Sequence, residues 1–268
     1  TCMRFAAGAL FAEESGTSMA APHVAHLAAA LLAEYPEADT NLIRALLLSH
    51  ASIPEASQTL YADSAELRRI CGYGSIDSNA LFRSLENEVT LFASGHIANR
   101  NHHFYSIPIP DEYVSNGRRL RELTIALAYT PYVRSTRIAY KSTRIDFKVV
   151  AASDLESVTT MFNRVTDKEE YENIPELKTP DVNGRLRGKG TAQAATWRFF
   201  QFGGNSILRK NRLFVVVTRN DHSWGEPHSA AEESYALAVC LRDRSNQQAR
   251  LYTELRNRLQ ARARVRTK

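Results

Sequence analysis

The sequence predicts a helical first third followed by an antiparallel β-sandwich. Two observations carry this expectation. Apolar residues recur at helical spacing up to about Glu88 and at strict alternation beyond it. The alternating runs number six or more and are separated by Gly, Pro, Asn and Asp, the residues that build turns. The scale agrees: 268 residues with 44% hydrophobic content are enough for one large domain or two small ones. The expected division is 1–88, 89–245 and a basic tail, 246–268.

The first helix is expected over 17–34. Thr17 or Ser18 is the expected cap and Pro22 is expected in the first turn. Alanines and leucines follow almost without charge, and a helix apolar all round needs cover all round. Pro36 ends it. A second helix is expected over 39–50, capped by Asp39 or Thr40, with Leu42, Ala45, Leu46 and Ser49 on one face. Ile53-Pro54 opens a polar loop. Short helices are expected over 64–70 and 78–85, on either side of Cys71-Gly72-Tyr73-Gly74-Ser75-Ile76-Asp77.

Strands come next. Tyr105, Ile107 and Ile109 alternate; so do Leu123, Ile125, Leu127 and Tyr129. Ile145, Phe147 and Val149 do the same, as do Tyr235, Leu237, Val239 and Leu241. Between them lie an aromatic run at 197–202 and a continuous apolar run at 213–217. The polar stretch 153–194 reads as an insertion, helical near 155–162, with turns at Asn183-Gly184, Arg187-Gly188 and Lys189-Gly190. In the tail, Leu251, Leu255 and Leu259 predict a helix over 246–261, while Arg262, Arg264 and Arg266 alternate as in a strand with one charged face.

Charge and cysteines narrow the classes. The net charge of +5 is misleading, because 242–268 holds nine basic and two acidic residues, and the rest of the chain is net −2. The tail lacks aromatic interleaving beyond Tyr252, so it reads as a solvated charged face before a nucleic-acid or partner surface. The longest apolar stretch, 24–33, is broken by His26 and is too short to span a bilayer. Three scattered cysteines make neither a disulfide framework nor a zinc site, which points to a reducing compartment. Cys240 falls in an alternating apolar run and reads as a small core residue.

One motif stands above this background: Gly16-Thr17-Ser18-Met19-Ala20-Ala21-Pro22. It resembles the nucleophile motif of the subtilisin-like serine proteases. Gly72-Tyr73-Gly74-Ser75-Ile76-Asp77-Ser78-Asn79-Ala80-Leu81 resembles the segment that closes the catalytic domain of that family. The resemblance spans about 1–86 and implies the C-terminal part of an α/β catalytic domain. It also implies a catalytic Ser18, a protein or peptide substrate, and a triad Asp, a triad His and an oxyanion Asn that all precede the nucleophile. The seventeen residues before Ser18 contain no His, Asp or Asn. Those groups are therefore expected outside this chain, which reads as a fragment starting at Thr1 and inactive alone. The first helix would then lack its covering parallel sheet, so apolar surface around 24–32 is expected to be exposed.

Further along, Glu122-Leu123-Thr124-Ile125-Ala126-Leu127-Ala128-Tyr129-Thr130-Pro131 resembles a core strand of the jelly-roll domains that often follow such catalytic domains. With the arginine-rich end, the whole resembles subtilisin-like proteases paired with an AAA-type ATPase in bacterial defence. That implies an ATPase partner and a cytoplasmic location. Calcium enters by family resemblance alone, and no cofactor or metal ligand is identified.

The chemistry of Ser18 rests on its place. A serine hydroxyl needs a base to take its proton and donors for the oxyanion. At a helix N-terminus the unpaired first-turn N–H groups face developing negative charge. His23 is five residues on, about 140° around the axis, and cannot serve as the base. It reads as a packed histidine. His26 stands where the family usually has Gly. The potential ligands at 221–228 (Asp221, His222, Glu226, His228) match no zinc or calcium loop and read as a polar loop between strands, and His102-His103 as the start of one. Two other classes compete with the protease: an inactive interaction module on a protease remnant, and a carbohydrate-binding sandwich. The latter would need Trp197, Phe199, Phe200 and Phe202 exposed in a row.

Overall fold

The computed structural model describes residues 2–6, 9–12, 16–61, 63–82, 85–165, 168–178, 180–202, 208 and 212–255. They form two compact units, 1–39 and 40–268. The first unit opens with β1 (Cys2–Ala6) and β2 (Ala9–Ala12), an antiparallel pair with Cys2 opposite Ala12 and Ala6 opposite Ala9. This pair was not among the expected strands. Helix α1 (Thr17–Glu34) follows over the expected span.

Two expectations for α1 need correction. Its cap is the Gly16 backbone, whose carbonyl accepts from the Met19 and Ala20 N–H groups; no side chain caps it. Pro22 lies inside the helix, beyond the first turn, where its ring removes the N–H that would otherwise bond the Ser18 carbonyl. The apolar surface expected to be exposed around 24–32 is so in part: Met19, Val24 and Leu32 are 41–49% exposed, while Leu27 and Leu31 are buried.

In the second unit, α2 (Thr40–Ser49), β3 (Ala51–Ser52), α3 (Glu55–Leu60), α4 (Ser64–Cys71), β4 (Ser75–Ile76) and α5 (Ser78–Leu81) come first. The loop expected after Pro54 contains α3. Its six residues are too few to show an apolar period, and none of them is buried. β3 and β4 pair antiparallel, Ala51 opposite Ile76. Asp77 caps α5, its Oδ1 accepting from the Asn79 and Ala80 N–H groups at 3.1 and 3.3 Å.

The rest of the unit is β5 (Glu88–Ala98), β6 (His102–Ile107), β7 (Arg121–Tyr129), β8 (Thr143–Ala152), α6 (Leu155–Asn163), α7 (Lys168–Asn173), α8 (Gly184–Arg187), β9 (Ala192–Phe199), β10 (Arg212–Asp221) and β11 (Glu232–Asp243). All pairings are antiparallel. One sheet has the order β5-β11-β7-β9, the other β6-β10-β8. Among the described residues the molecule is thus a mixture of helices and antiparallel sheets.

Alternation along the strands decides what each face meets. Leu123, Ile125 and Leu127 of β7 and Val239 and Leu241 of β11 share one core with Ile145, Phe147 and Val149 of β8 and Leu213, Val215 and Val217 of β10. Each such side chain, fully buried, contributes about 1.5–3 kcal/mol. The outer face of the three-stranded sheet carries Val150, Phe214 and Val216, which pack on Val158 and Phe162 of α6 and on Tyr171 and Ile174. The outer face of the four-stranded sheet is lined by buried alanines, Ala126, Ala128, Ala194, Ala236 and Ala238. α2 lies on it, contacting chiefly β11 and β7. Small side chains let a helix backbone come close.

Trp197 is fully buried and its Nε1–H donates to the Leu177 carbonyl at 3.0 Å. Phe202 is buried too, while Phe200 is exposed, so the aromatic run is a piece of core and not an exposed row. The tail is helical over 251–255, with Leu251 and Leu255 buried; the strand expected at 262–266 lies outside the described residues. Among the described residues no helix is long and apolar enough to cross a membrane.

Candidate functional site

Ser18 is the second residue of α1 and is exposed. The backbone just before it is special. Gly16 has φ 154° and ψ 165°, a region that residues with a side chain scarcely populate. A Cβ there would meet no atom within 4 Å, so backbone conformation and not space calls for glycine. The Ser18 amide is among the first-turn N–H groups that the helix cannot pair. His23 and His26 are both exposed. The expectation of a packed His23 is corrected: α1 leaves that side uncovered. Within 16–39 no hydrogen bond links either histidine to Ser18.

The second unit holds a cleft of about 520 Å³. Its floor is the outer face of the four-stranded sheet beyond the alanines that α2 covers. Two rows cross the strands there. In the first, Glu88, Arg242, Glu122 and Arg198 stand side by side, alternating in charge. In the second, two residues along, stand Thr90, Cys240, Thr124 and Thr196. The end of α2, β3 and α4 supply Ser49, His50, Ser52, Leu67 and Arg68 to the walls.

Every buried charge in the floor is matched. Arg242 Nε donates to Glu88 Oε2 at 2.6 Å, and its Nη2 to Oε1. Glu122 Oε1 accepts from Arg198 Nε at 3.0 Å and Oε2 from Arg244 Nε at 2.7 Å. Burial opposes ionisation of Glu122, but the two guanidinium groups outweigh it and hold its carboxyl below the usual range.

His50 sits beneath the cleft wall, 2% exposed. Its Nδ1 is 3.0 Å from the Leu46 carbonyl, an acceptor only, which assigns the proton to Nδ1. Nε2 then accepts from the Thr90 hydroxyl at 3.2 Å. Burial pushes the imidazole below its ordinary value, only partly offset by the Leu46 carbonyl and Glu88. Burial also pushes the Cys240 thiol up, and Glu88 reinforces this. The protonated thiol donates to Glu88 Oε1 at 3.2 Å. It is a packed hydrogen-bond donor, not a nucleophile.

His50, Glu88 and Cys240 offer three ligand atoms within 4.8 Å of one another, the spacing of a metal site. They do not fit a cation as they stand. Arg242 already neutralises Glu88, and the Cys240 thiol donates to the same carboxylate. The core reading of Cys240 stands, since it is buried, but the sequence did not show its neighbours. A signal was present: Glu122 and Thr124 share a phase in β7, as Cys240 and Arg242 do in β11, and that phase is opposite to the apolar one. Register between distant strands, which no single sequence states, was the missing link.

Elsewhere the polar motifs are structural. The stretch 221–228 links β10 to β11, with Tyr132 stacked on His228 at 5.1 Å and Arg137 over Trp224 at 5.3 Å. His102 and His103 begin β6 and bond Thr218 and the Tyr235 hydroxyl.

Ser18 thus follows Gly16 at an exposed helix start, inside a region that a family model matches. Residues 1–74 match the family model of the subtilase family, Peptidase_S8. This region is subtilase-related. The chain is similar to "Uncharacterized protein y4bN" of Sinorhizobium fredii (strain NBRC 101917 / NGR234), 30% identical over 258 residues. That alignment covers 94% of this chain and 58% of the relative, so the chain spans somewhat more than half of the relative's length. Among solved structures, Aeromonas hydrophila PliG, a periplasmic inhibitor of g-type lysozyme, aligns over 59% of this chain and 88% of its own, with 9% identity and a TM-score of 0.25. The STIV MCP aligns over 60% and 49%, with 11% identity and a TM-score of 0.24. Scores at this level define no shared fold.

Proposed function

We propose that the chain is the C-terminal portion of a subtilisin-like serine endopeptidase, with Ser18 as nucleophile. The observation that carries this is Ser18 itself: Gly16-Thr17-Ser18-Met19-Ala20-Ala21-Pro22, inside the subtilase match, placed at an exposed helix start. Ser18 Oγ would attack the scissile carbonyl carbon while a histidine takes its proton. The same proton then passes to the leaving amine, and water hydrolyses the acyl-enzyme by the reverse route. The histidine, its aspartate and the oxyanion asparagine belong to residues outside this chain.

The two-sheet part, residues 89–245, is proposed to be an appended jelly-roll-like β-sandwich. Its strand order supports this: β5, β7, β9 and β11 fall in one sheet and β6, β8 and β10 in the other, so that consecutive strands alternate between sheets. Helices α6, α7 and α8 lie between β8 and β9, and the two sheets count seven strands among the described residues, one fewer than the eight of a jelly roll. A protein or peptide substrate, an AAA-type ATPase partner and a cytoplasmic location complete the proposal.

The test is labelling of the full-length parent protein with a fluorophosphonate probe. Labelling that Ser18→Ala abolishes is expected. No labelling of a folded full-length protein, or labelling indifferent to Ser18→Ala, would overturn the proposal and leave the inactive interaction module in its place.

A further inference from the structure

We propose that the cleft over the four-stranded sheet binds a small molecule bearing an oxyanion, a carboxylate or phosphate group gripped by Arg198 and Arg244. The inference is independent of the protease proposal.

Arg198 and Arg244 each meet Glu122 through Nε alone, at 3.0 and 2.7 Å. Their four terminal nitrogens have no hydrogen-bond partner among the described residues. One carboxylate thus fixes two guanidinium groups and neutralises only one of their charges. The unused edge of a guanidinium is the fork that matches a carboxylate or phosphate in two parallel hydrogen bonds. Both side chains line the cleft and remain reachable, Arg198 at 43% and Arg244 at 35% exposure.

The surroundings fit the same ligand. Thr124 and Thr196 hydroxyls lie 3.1 Å apart, so one donates to the other and the second keeps a proton to give. Four arginines line the cleft, Arg68, Arg198, Arg242 and Arg244. Their partners are Asp181, Glu88 and the shared Glu122, which leaves one positive charge over. Ile53, Leu67, Val182 and Leu186 give the walls an apolar part for the body of a ligand. The volume, about 520 Å³, falls in the range of small-molecule pockets, roughly 300–1,000 Å³. A cleft with excess positive charge, two half-used forks and a free hydroxyl proton selects a compact anion over a cation or a neutral sugar.

The test is isothermal titration of the chain at low ionic strength with three probes, inorganic phosphate, pyrophosphate and citrate. Saturable one-site binding of at least one probe is expected, weakened several-fold at high salt. Preference for pyrophosphate or for citrate separates a phosphate from a carboxylate source. In the Arg198→Met, Arg244→Met double variant the affinity falls at least tenfold, while Arg100→Met, at an exposed position away from the cleft, leaves it unchanged. Should the double variant not fold, Arg244→Lys keeps the charge but loses the fork, and weaker binding by the same probe is expected. Absence of saturable binding by all three probes, or binding that these variants leave intact, overturns the inference.

Discussion

Gly74 shows how one residue can fix a local structure. Its φ is +97°, and a Cβ would stand 2.1 Å from the Ser52 carbonyl oxygen, inside the β3–β4 pair. Gly74→Ala therefore meets both backbone strain and a clash with main chain, and should cost at least about 2 kcal/mol. The urea midpoint of the purified chain reads this directly; an unchanged midpoint would contradict it. His50 makes a different residue-scale prediction. Burial lowers its folded pKa, with the unfolded value near the ordinary 6.5. The unfolded chain then takes up the proton first as pH falls, so stability is fully present above 6.5 and declines below it. His102 is also lowered by burial and adds to the same slope. In His50→Asn the loss of stability between pH 7.5 and 5.5 should be smaller than in the wild type, whatever the variant's stability at pH 7.5. Equal slopes would show that His50 does not take part.

At the scale of elements, α2 and its alanine floor are the contact that joins the helical part of the second unit to the strands. Ala236 and Ala238 are fully buried on the outer face of β11. Ala238→Leu would lift the helix off the sheet, at a cost of about 1–3 kcal/mol. Ala→Ser at the same place should cost less. The Glu88–Arg242 pair ties β5 to β11 at the edge of that floor. Removing one partner leaves a buried charge unmatched, at about 3–5 kcal/mol for Arg242→Met. The double variant Glu88→Gln, Arg242→Met should recover part of the loss. Chemical denaturation of Arg242→Met, Glu88→Gln and the double variant gives the coupling, and strict additivity would deny it.

For the second unit as a whole, one shared core predicts one transition. The two sheets contribute to a single cluster, with Trp197 inside it. Trp197 fluorescence in a Trp224→Phe background and far-UV circular dichroism should therefore give coincident unfolding curves. Separate midpoints would mean that the sheets do not stabilise each other. Residues 40–88, helical in their spacing, fall with the strands in one compact unit because α2 rests on the outer alanine face of the four-stranded sheet. Periodicity reports which element a segment forms, whereas packing decides what that element rests on.

Much was legible because it is local. Helical spacing gave α1, α2 and α4 to within a residue or two; alternation gave β7, β8 and β11; seven residues around Ser18 gave the subtilase-related region. Short-range chemistry writes these into neighbouring positions. The pairs that lie far apart were not legible. Glu88 meets Arg242, Glu122 meets Arg198 and Arg244, and His50 meets Thr90 only once strand register is set. Register is a property of several strands at once, settled by burial of the common core, and it built the cleft. The exposure of His23 was likewise decided by what does and does not pack on α1, since a helix's own sequence states its apolar residues but not the surfaces that cover them.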